Sequence, residues 1–489
     1  PKTKRKTEEK MSSVKAKYES ETPHVVILPV AGQGHVNTML PLAELLALSG
    51  IHVTFINSHY IHNRLLRFAG NVIEARHPNL VFETFGDGVL REPTLFAGRM
   101  KEVFAEMESQ GMNKLRELCS QHSGKPKVTC FIVDAFLGHP ASNLGDELGI
   151  PVIHFRTASA CSFWAYFNVP TLLQYNELPI RGEEDMDRVI TRIPGMENLV
   201  RCRDLPALCR GSREGTLDLE TLVFQAHQSQ QAKAVIMNTF EELEGPILSK
   251  LRHHFPNNLY TLGPLHTLLD YMKASKTQPP PPPPPSEDKD RTCMRWLDAQ
   301  APKSVIYVSF GSAAVFTRAQ LMEIWHGLMN SNKRFLWVIR PNLVSEQDGG
   351  VLPMELAEGT SERHCIVGWS PQQKVLEHVA VGGFMTHSGW NSTLESVVAG
   401  VPMICWPLFG DQPINSRFVS EAWKIGLDTK DTCDRKIVEK MVNDLMVERR
   451  EEFEKSAQAI AALAKKSVSE GGTSYSNFYR FVRYLKSIC

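Results

Sequence analysis

The chain alternates short apolar segments with longer amphipathic ones, and it does so twice. In the first half the apolar segments are rich in β-branched residues, and they lie at 24–30, 51–57, 128–134, 151–155 and 234–239. An amphipathic helix is predicted between the first two, at 38–48. Strands that are apolar almost throughout and that alternate with helices indicate a parallel sheet covered on both faces.

A second set of the same kind follows. Strands are predicted at 304–310, 334–339, 364–369, 381–387 and 401–407. Helices are predicted at 317–330, 371–378, 391–399, 435–448 and 450–467. Because 489 residues are too many for one ordinary hydrophobic core, we predict two α/β units in series that face each other across a cleft. Ligands of such sheets bind outside the carboxyl ends of the strands, so functional side chains are expected directly after strands.

Composition sets the expected domain limits. Residues 1–20 are charged and lack a core pattern, so we expect a disordered segment or an extension there. Seven consecutive prolines, 279–285, and the charges after them predict an exposed loop over 279–290; a docking site for a proline-binding module is the alternative. The expected units are an N-terminal domain over 21–256, a C-terminal domain over 257–470, and a helix within 471–489 that packs back on the N-terminal domain.

The overall composition excludes several classes of protein. The 54 Lys and Arg residues balance the 54 Asp and Glu residues, which argues against nucleic-acid binding as the main activity. The ten cysteines form no Cys-x-x-Cys pair and stand at no zinc-ligand spacing. Scattered cysteines favour a reducing compartment, so we expect a cytoplasmic protein, and we expect it to be a monomer. No apolar run reaches about 18 residues, so no transmembrane helix is expected.

Strand-to-helix turns in the second half carry side chains that suit a nucleotide sugar. The first turn holds Gln372 and Trp369, whose flat indole can stack on a base. The second, HSGWNS, opens a helix at Asn391 and Ser392, where the free N–H groups and the helix dipole favour phosphate. His387 in the same turn can donate a hydrogen bond to a phosphate oxygen.

The same cluster can also hold the sugars. Glu395 lies four residues after Asn391 on the same helix face, and its carboxylate can accept from both ribose hydroxyls. Asp411 and Gln412 follow the next strand and are short polar groups for sugar hydroxyls. Each residue alone has an ordinary structural explanation: Asn391 can cap a helix and Trp390 can pack in the core. Only the joint pattern is specific.

The stretch from Trp369 to Gln412 resembles the signature of plant UDP-dependent glycosyltransferases. The likeness extends to NTFEELE (238–244), LGPL (262–265), YVSFGS (307–312) and GGTSYSN (471–477). It implies an α/β fold of the GT-B type, two facing Rossmann-like domains with the donor mainly on the second, and a final Gln412 goes more often with UDP-glucose than with UDP-galactose. The donor-binding residues that it implies are Ser312, Trp369, Ser370, Gln372, His387, Trp390, Asn391, Ser392, Glu395, Asp411 and Gln412.

A histidine and an aspartate in the first half form a candidate catalytic pair. His35 stands in the glycine-rich stretch PVAGQGHVNTM after the first strand, and Asp134 ends the strand 128–134. Glycosyl transfer to an alcohol requires a base near neutral pH, and a carboxylate on the far ring nitrogen would fix the tautomer of a histidine base. The resemblance implies the same two roles. Taken alone, His35 could simply begin a helix, and Asp134 could be the N-cap of another turn or helix.

No metal or other cofactor is expected beside the co-substrate UDP-glucose. Two Asp-x-Asp sequences, DMD (185–187) and DKD (288–290), look like the motif with which another class of glycosyltransferase holds a metal on the diphosphate. Both lie in charged segments instead of following apolar strands. We therefore expect both to be in exposed loops.

The acceptor pocket is expected in the first domain. Candidate walls are 85–105, 155–175 and 190–210; the second is rich in aromatic and small residues, which suits an apolar pocket and core packing equally well. The resemblance implies that Thr157 touches the donor sugar. Residues 177–210 resemble the iridoid-glucosylating branch of the family, which implies transfer to a hydroxyl or carboxyl of an iridoid or other terpenoid and a β-glucoside product. A phenolic or flavonoid acceptor is the alternative.

Two functions of other classes fit the sequence less well. An NAD(P)-dependent oxidoreductase would need a third glycine where Asn37 stands and an acidic residue after the second strand, where 54–57 read TFIN. A non-catalytic sugar-nucleotide-binding protein would need no base, and the presence of His35 with Asp134 argues against it.

Overall fold

The computed structural model describes residues 22–69, 76–88, 100–120, 126–210, 219–256, 258–275, 288–340, 343–345, 349–429 and 433–488. The expected extension at 1–20 and the proline run at 279–285 lie outside these ranges. The described residues form two seven-stranded sheets with helices around them. The α/β class with two Rossmann-like sheets is therefore confirmed.

The first sheet is entirely parallel. Its strands are β1 (His24–Leu28), β2 (His52–Ser58), β3 (Leu80–Phe85), β4 (Cys130–Asp134), β5 (Val152–Arg156), β6 (Ala234–Met237) and β7 (Leu259–Thr261). They are arranged in the order β3-β2-β1-β4-β5-β6-β7. The five predicted strands are present, and β3 and β7 were not predicted. β3 lies at a sheet edge with partly exposed residues, and β7 has only three residues, so neither has a long apolar run.

The second sheet repeats this plan. Its strands are β8 (Val305–Ser309), β9 (Arg334–Val338), β10 (Gly359–Thr360), β11 (His364–Val367), β12 (Val381–Thr386), β13 (Met403–Cys405) and β14 (Gly426–Asp428). The order is β10-β11-β9-β8-β12-β13-β14, and only the short edge strand β10 runs antiparallel to its neighbour. All five strands predicted in this half are present, each within a few residues of its expected bounds.

The helices connect the strands on both sides of each sheet. In the first half they are α1 (Gln33–Leu48), α2 (His59–Ala69), α3 (Met100–Ser120), α4 (Gly138–Leu148), α5 (Ala160–Phe167), α6 (Val169–Gln174), α7 (Leu219–Gln228), α8 (Glu241–His254) and α9 (Leu265–Ala274). In the second half they are α10 (Asp288–Asp298), α11 (Arg318–Asn330), α12 (Gln372–Glu377), α13 (Trp390–Ala399), α14 (Gln412–Arg417), α15 (Arg435–Asn443), α16 (Arg450–Val468) and α17 (Thr473–Ser487). Single π-helical turns follow α14 and α15.

Two expected boundaries need correction. The loop expected over 279–290 ends earlier, because α10 already begins at Asp288. Helix α1 begins at Gln33 instead of residue 38, so His35 lies in its first turn. The apolar periodicity on which the prediction rested begins only at Thr38 and Met39, because Gly34, His35 and Asn37 are not buried.

Strand β7 also bears on the domain limits. It pairs with β6 in the first sheet, so that sheet continues past residue 256. We therefore propose a boundary after α9, because Leu265, Leu268 and Met272 of that helix lie in the same hydrophobic core as β1 and β2. Helix α17 returns to the first sheet: Ser474 Oγ donates to the carbonyl of Gly263, and Phe478 and Phe481 lie in the hydrophobic core around β1 and β2.

Candidate active site

The two sheets present their loops to a common cleft. The strand order of the first sheet reverses between β1 and β4, and that of the second reverses between β8 and β12. A cleft opens at such reversals, outside the carboxyl ends of the strands. His35 follows β1 and Asp134 ends β4, while Ser312 follows β8 and the HSGWNS turn follows β12. His35, Asp134, Ser312 and His387 therefore lie at the two switch points.

His35 and Asp134 form a hydrogen-bonded pair. The Nδ1 atom of His35 lies 2.6 Å from Oδ2 of Asp134. Because a carboxylate only accepts, Nδ1 carries the proton and Nε2 is left as the proton acceptor. The other oxygen, Oδ1, accepts from the backbone N–H of Phe136 at 3.1 Å, so Asp134 is also the N-cap of the short turn that follows β4. Asp134 therefore bonds to His35 and caps a turn at the same time, so its two interpretations from the sequence are compatible.

The groups around His35 stabilise the protonated form of its imidazole. Burial on its own lowers the pKa of His35, but the charge and hydrogen bond of Asp134 outweigh it and raise that pKa above its ordinary value. The hydroxyl of Thr157 lies 3.2 Å from the same Nδ1 atom. Phe136 meets the imidazole edge-on at 5.8 Å, and Phe104 packs against Phe136 at 5.3 Å, so an apolar wall stands beside the base.

Replacement of Asp134 by asparagine should separate its two functions. An amide can still cap the turn, but it no longer supplies the charge that raises the pKa of His35. We expect kcat to fall about 100-fold or more, since the imidazolium formed on proton transfer loses its partner. The acidic limb of the pH–kcat profile should also move to lower pH, because His35 must be neutral to act and its pKa falls. A profile that kept its midpoint would contradict the pairing.

The HSGWNS turn is shaped around the imidazole of His387. A Cβ atom on Gly311 or on Gly389 would come within 2.5 Å of Nε2 of His387, and Gly311 also has a left-handed φ of +72°. Burial, together with the nearby charge of Arg340, lowers the pKa of His387 to about 4. The ring is therefore neutral at pH 7 and can donate one hydrogen bond to a phosphate oxygen.

Helix α13 starts directly after this turn and points its N-terminus at the cleft. Asn391 reaches across to the first domain: its Nδ2 donates to the carbonyl of Gly34 at 2.7 Å, and its Oδ1 accepts from Thr38 Oγ1 at 2.7 Å. Ser392 is buried beside it. The N-terminus of α13, which is expected to bind phosphate, is thus held against the first turn of α1, within one residue of His35.

A second cluster of polar side chains lies around Ser392 and Glu395 on α13. Gln372 Nε2 donates to Glu395 Oε2 at 2.6 Å and to Ser392 Oγ at 2.9 Å. Tyr307 OH lies 3.0 Å from Ser370 Oγ and donates to Gln372 Oε1 at 3.2 Å. Burial raises the pKa of Glu395, and the hydrogen bonds from Gln372 act against that rise. The carboxylate expected to hold the ribose is therefore fixed in place from one side.

Two aromatic side chains of the signature have different surroundings. Trp369 is half-buried between β11 and α12, where its indole can face a base. Trp390 is 3% exposed, donates its Nε1–H to the carbonyl of Asn238 in the first half, and packs against Trp423. The side chain of Trp390 thus joins the two halves by packing, and only its backbone amide remains for the donor.

Asp411 and Gln412 lie at the start of α14, Asp411 as its N-cap. Burial raises the pKa of Asp411 to about 6, while the hydrogen bond from Asn415 and the positive charge of a protonated His35 act to lower it. Gln412 Oε1 accepts from the backbone N–H groups of Leu408 and Phe409 at 2.8 and 3.1 Å. Part of the role of Gln412 is therefore to shape the loop that presents Asp411.

The two Asp-x-Asp sequences lie in different kinds of local structure. Within the described part of the chain, no group of three or more His, Cys, Asp or Glu side chains is arranged to hold a metal ion. In DMD, Asp187 pairs with Arg203 at 2.8 Å and with Arg201 at 3.2 Å. In DKD, the expected loop is wrong, since Asp288–Asp298 is helical. Among the described helices, none combines the length and hydropathy needed to cross a membrane.

Sequence reasoning missed three residues of the site. Arg340, just beyond β9, brings a positive charge close to His387. Tyr307 orients Gln372 from within β8. Asn415 on α14 bonds to both domains. Of the three, only Tyr307 carried a signal, as the first residue of YVSFGS.

Two Rossmann-like sheets, with a histidine–aspartate pair on the first lying against the HSGWNS turn and helix α13 of the second, have the arrangement of a glycosyltransferase of the GT-B class. Residues 215–453 match the family model described as UDP-glucoronosyl and UDP-glucosyl transferase. The chain is 48% identical over 475 residues to a 7-deoxyloganetic acid glucosyltransferase of Catharanthus roseus, covering 95% of this chain and 98% of that protein. The chain belongs to this family and is a UDP-glycosyltransferase.

Two further proteins show how wide the likeness is. The chain is 40% identical to myricetin 3-O-rhamnoside 1,2-glucosyltransferase UGT709G2 of Crocosmia x crocosmiiflora, over 95% of this chain and 96% of that protein. The crystal structure of Os79 from O. sativa in complex with UDP superposes with a TM-score of 0.74 at 26% identity, covering 94% of this chain and all of that one. The expected family and fold are thus confirmed.

Proposed function

We propose that the protein transfers glucose from UDP-glucose to a hydroxyl or carboxyl group of an iridoid or related terpenoid, with inversion at the anomeric carbon. The observation that carries the proposal is the 2.6 Å pair of His35 and Asp134 at the cleft, held against the N-terminus of α13 by the bond from Asn391 to Gly34. A base on one domain thereby faces a leaving-group site on the other.

The chemistry follows from this placement. The acceptor oxygen attacks the anomeric carbon from the face opposite UDP while the bond from that carbon to UDP breaks. A hydroxyl acceptor gives its proton to Nε2 of His35, whereas a carboxylate acceptor has no proton to give. Asp134 stabilises the imidazolium that forms. The N–H groups at the start of α13, with His387, stabilise the negative charge that builds on the diphosphate. We infer that these groups make a metal unnecessary, so UDP-glucose is the co-substrate and the product is a β-glucoside.

We propose the remaining contacts to UDP-glucose from the position of each residue in the turns and helices that follow the strands. Trp369 stacks on the uracil, Glu395 accepts from the ribose hydroxyls, and Gln372 and Ser370 hold that side of the site. Asp411 and Gln412 face the glucose, beside Thr157 and His35. Ser312 lies in the turn after β8, next to the diphosphate.

The acceptor class rests on the relatives and on the pocket wall. The 48% identical relative acts on 7-deoxyloganetic acid, an iridoid. Phe104 and Phe136 supply an apolar face next to the base, which suits a compact terpenoid. The 40% identical relative acts on a flavonol rhamnoside, so a phenolic glycoside acceptor is the second candidate. A monomeric state and a cytoplasmic location remain predictions from the sequence.

An acceptor panel tests this proposal. The protein would be incubated with UDP-glucose and equal concentrations of 7-deoxyloganetic acid, other terpenoid alcohols and acids, a simple phenol and a flavonol rhamnoside. We expect kcat/KM to be at least about tenfold higher for an iridoid than for the phenolic acceptors. A preference for the flavonol rhamnoside would favour the second candidate. Absence of transfer to every acceptor would contradict the proposed function.

A further inference from the structure

Asn415 bonds at once to three segments of the site. It lies on α14, and its side chain is fully buried. Its Oδ1 accepts from the hydroxyl of Ser159 at 2.6 Å. Its Nδ2 donates to the carbonyl of Ser388 and to Oδ2 of Asp411, both at 2.9 Å. Ser159 belongs to the first domain and the other two partners belong to the second.

The orientation of this amide is fixed by its partners. The carbonyl of Ser388 can only accept, so it must face Nδ2. The hydroxyl of Ser159 accepts from the N–H of Ser162 at 3.1 Å as the N-cap of α5, so its own hydrogen is free to point at Oδ1 of Asn415. Both amide hydrogens and the amide oxygen are used. No other side chain of similar size offers two donors and one acceptor in this arrangement.

Each partner of Asn415 controls a different part of the reaction. Ser388 has a left-handed φ of +63° at the turn that aims the N-terminus of α13, and the bond to its carbonyl supports that conformation. Ser159 stands two residues after Thr157, whose hydroxyl lies 3.2 Å from Nδ1 of His35. Asp411, proposed to contact the glucose, accepts the other hydrogen bond from Asn415 through its Oδ2. Asn415 thus connects the diphosphate turn, the glucose contact and the loop beside the base.

We propose that Asn415 is a positioning residue that holds the glucose in line with the base. It aims the carboxylate of Asp411 and fixes that carboxylate relative to the loop of Thr157, across the domain cleft. The inference rests on the proposed function, in which Asp411 contacts the glucose. Asn415 acts mainly through Asp411 and does not touch the uracil or the ribose, so its loss should lower glucose transfer far more than it weakens UDP binding.

The test uses two variants and one neighbouring control. Asn415→Asp keeps the size but removes both donors, and Asn415→Ser keeps one donor. Ser416→Ala is the control, because the hydroxyl of Ser416 is buried and makes no hydrogen bond to any described residue. We expect kcat/KM for UDP-glucose to fall about 30-fold or more in Asn415→Asp and by less in Asn415→Ser, since misplacement of a reacting group is costly. The Kd of UDP should stay within about threefold of the wild-type value in both.

A second measurement separates positioning from a merely structural role. Asp411→Asn would be made alone and with Asn415→Ser. If Asn415 acts through Asp411, the double variant should be no slower than Asp411→Asn alone. Additive losses, or a loss of UDP affinity in proportion to kcat/KM, would overturn the inference. If Asn415→Asp does not fold, the inference is tested with Asn415→Ser by the same two measurements, kcat/KM for UDP-glucose and the Kd of UDP.

The inference and the proposed function fail differently. A wild-type protein that turns over UDP-glucose while the Asn415 variants match Ser416→Ala would overturn only the inference. A wild-type protein that binds UDP but transfers glucose to no acceptor would overturn the proposed function, and the inference with it.

Discussion

Replacement of His35 by alanine is expected to lower kcat by about 10²- to 10⁴-fold, the usual contribution of a general base. The Nε2 atom of His35 is the proton acceptor that the 2.6 Å bond from Nδ1 to Asp134 leaves available. Alanine is a good helix former, so the first turn of α1 should persist. The residues proposed to bind UDP lie on the other domain, and the Kd of UDP, measured by calorimetry, should therefore stay the same.

The His253→Ala variant is a control for the loss of a histidine that lies outside the candidate site. His253 lies exposed on α8 in the same half of the chain, where it bonds only to the carbonyl of Ser249 among the described residues. His253→Ala should retain wild-type kcat and KM. If His35→Ala kept more than about one tenth of wild-type kcat, another group would have to be the base.

Replacement of Glu395 by alanine should have the largest effect on donor binding. Glu395 is held by Gln372 at 2.6 Å and by Gln373 at 3.2 Å, and its carboxylate can accept from two ribose hydroxyls. Hydrogen bonds to a charged group contribute about 1.5–3 kcal/mol each, so the loss of two should raise the Kd of UDP about 10²- to 10⁴-fold. The rate at saturating UDP-glucose should change far less.

The ribose assignment has its own readout. The wild-type protein should bind UDP more tightly than 2′,3′-dideoxy-UDP, and the Glu395→Ala variant should bind the two alike. Glu377→Ala, at an exposed glutamate on the neighbouring helix α12, serves as the charge-matched control. Continued discrimination between the two nucleotides in Glu395→Ala would show that another group holds the ribose.

Hydrophobic patterning was enough to predict the sheets and the cleft. Strands buried on both faces leave long apolar runs, and polar residues directly after them must gather at the carboxyl edge of the sheet. His35 and Asp134 could therefore be paired across about a hundred residues of sequence without a structure. The strands that were missed, β3, β7, β10 and β14, are the edge strands of the two sheets, and all but β3 have only two or three residues, so exposure or short length hides the pattern.

Contacts between the two domains could not be predicted in the same way. Trp390 looked like a donor contact because it stands inside the signature, but its indole N–H bonds to the carbonyl of Asn238. Asn415 stands in a short polar helix like many others, and its role depends on Ser159, which is 256 residues away in the chain. Such contacts depend on how the two domains pack against each other, and local sequence patterns do not indicate that packing.

The same limit applies to residues with two functions. Gln412 was predicted to bind sugar hydroxyls, and its amide oxygen is used to shape the loop of Leu408 and Phe409. Asp134 was predicted either to cap a turn or to orient His35, and it does both with its two oxygens. Sequence patterns identify the residue type that a site needs, but the direction of each polar atom depends on the folded surroundings.

The anomeric configuration of the product is the most direct test of the central claim, that His35 activates an acceptor on the face opposite UDP. The protein would be incubated with UDP-glucose and its best acceptor, and the purified product would be examined by proton NMR. UDP-glucose is α-linked, so a single displacement assisted by His35 predicts a β-glucoside. An α-glucoside would contradict the placement of the base, and so would β-glucoside formation at the wild-type rate by His35→Ala.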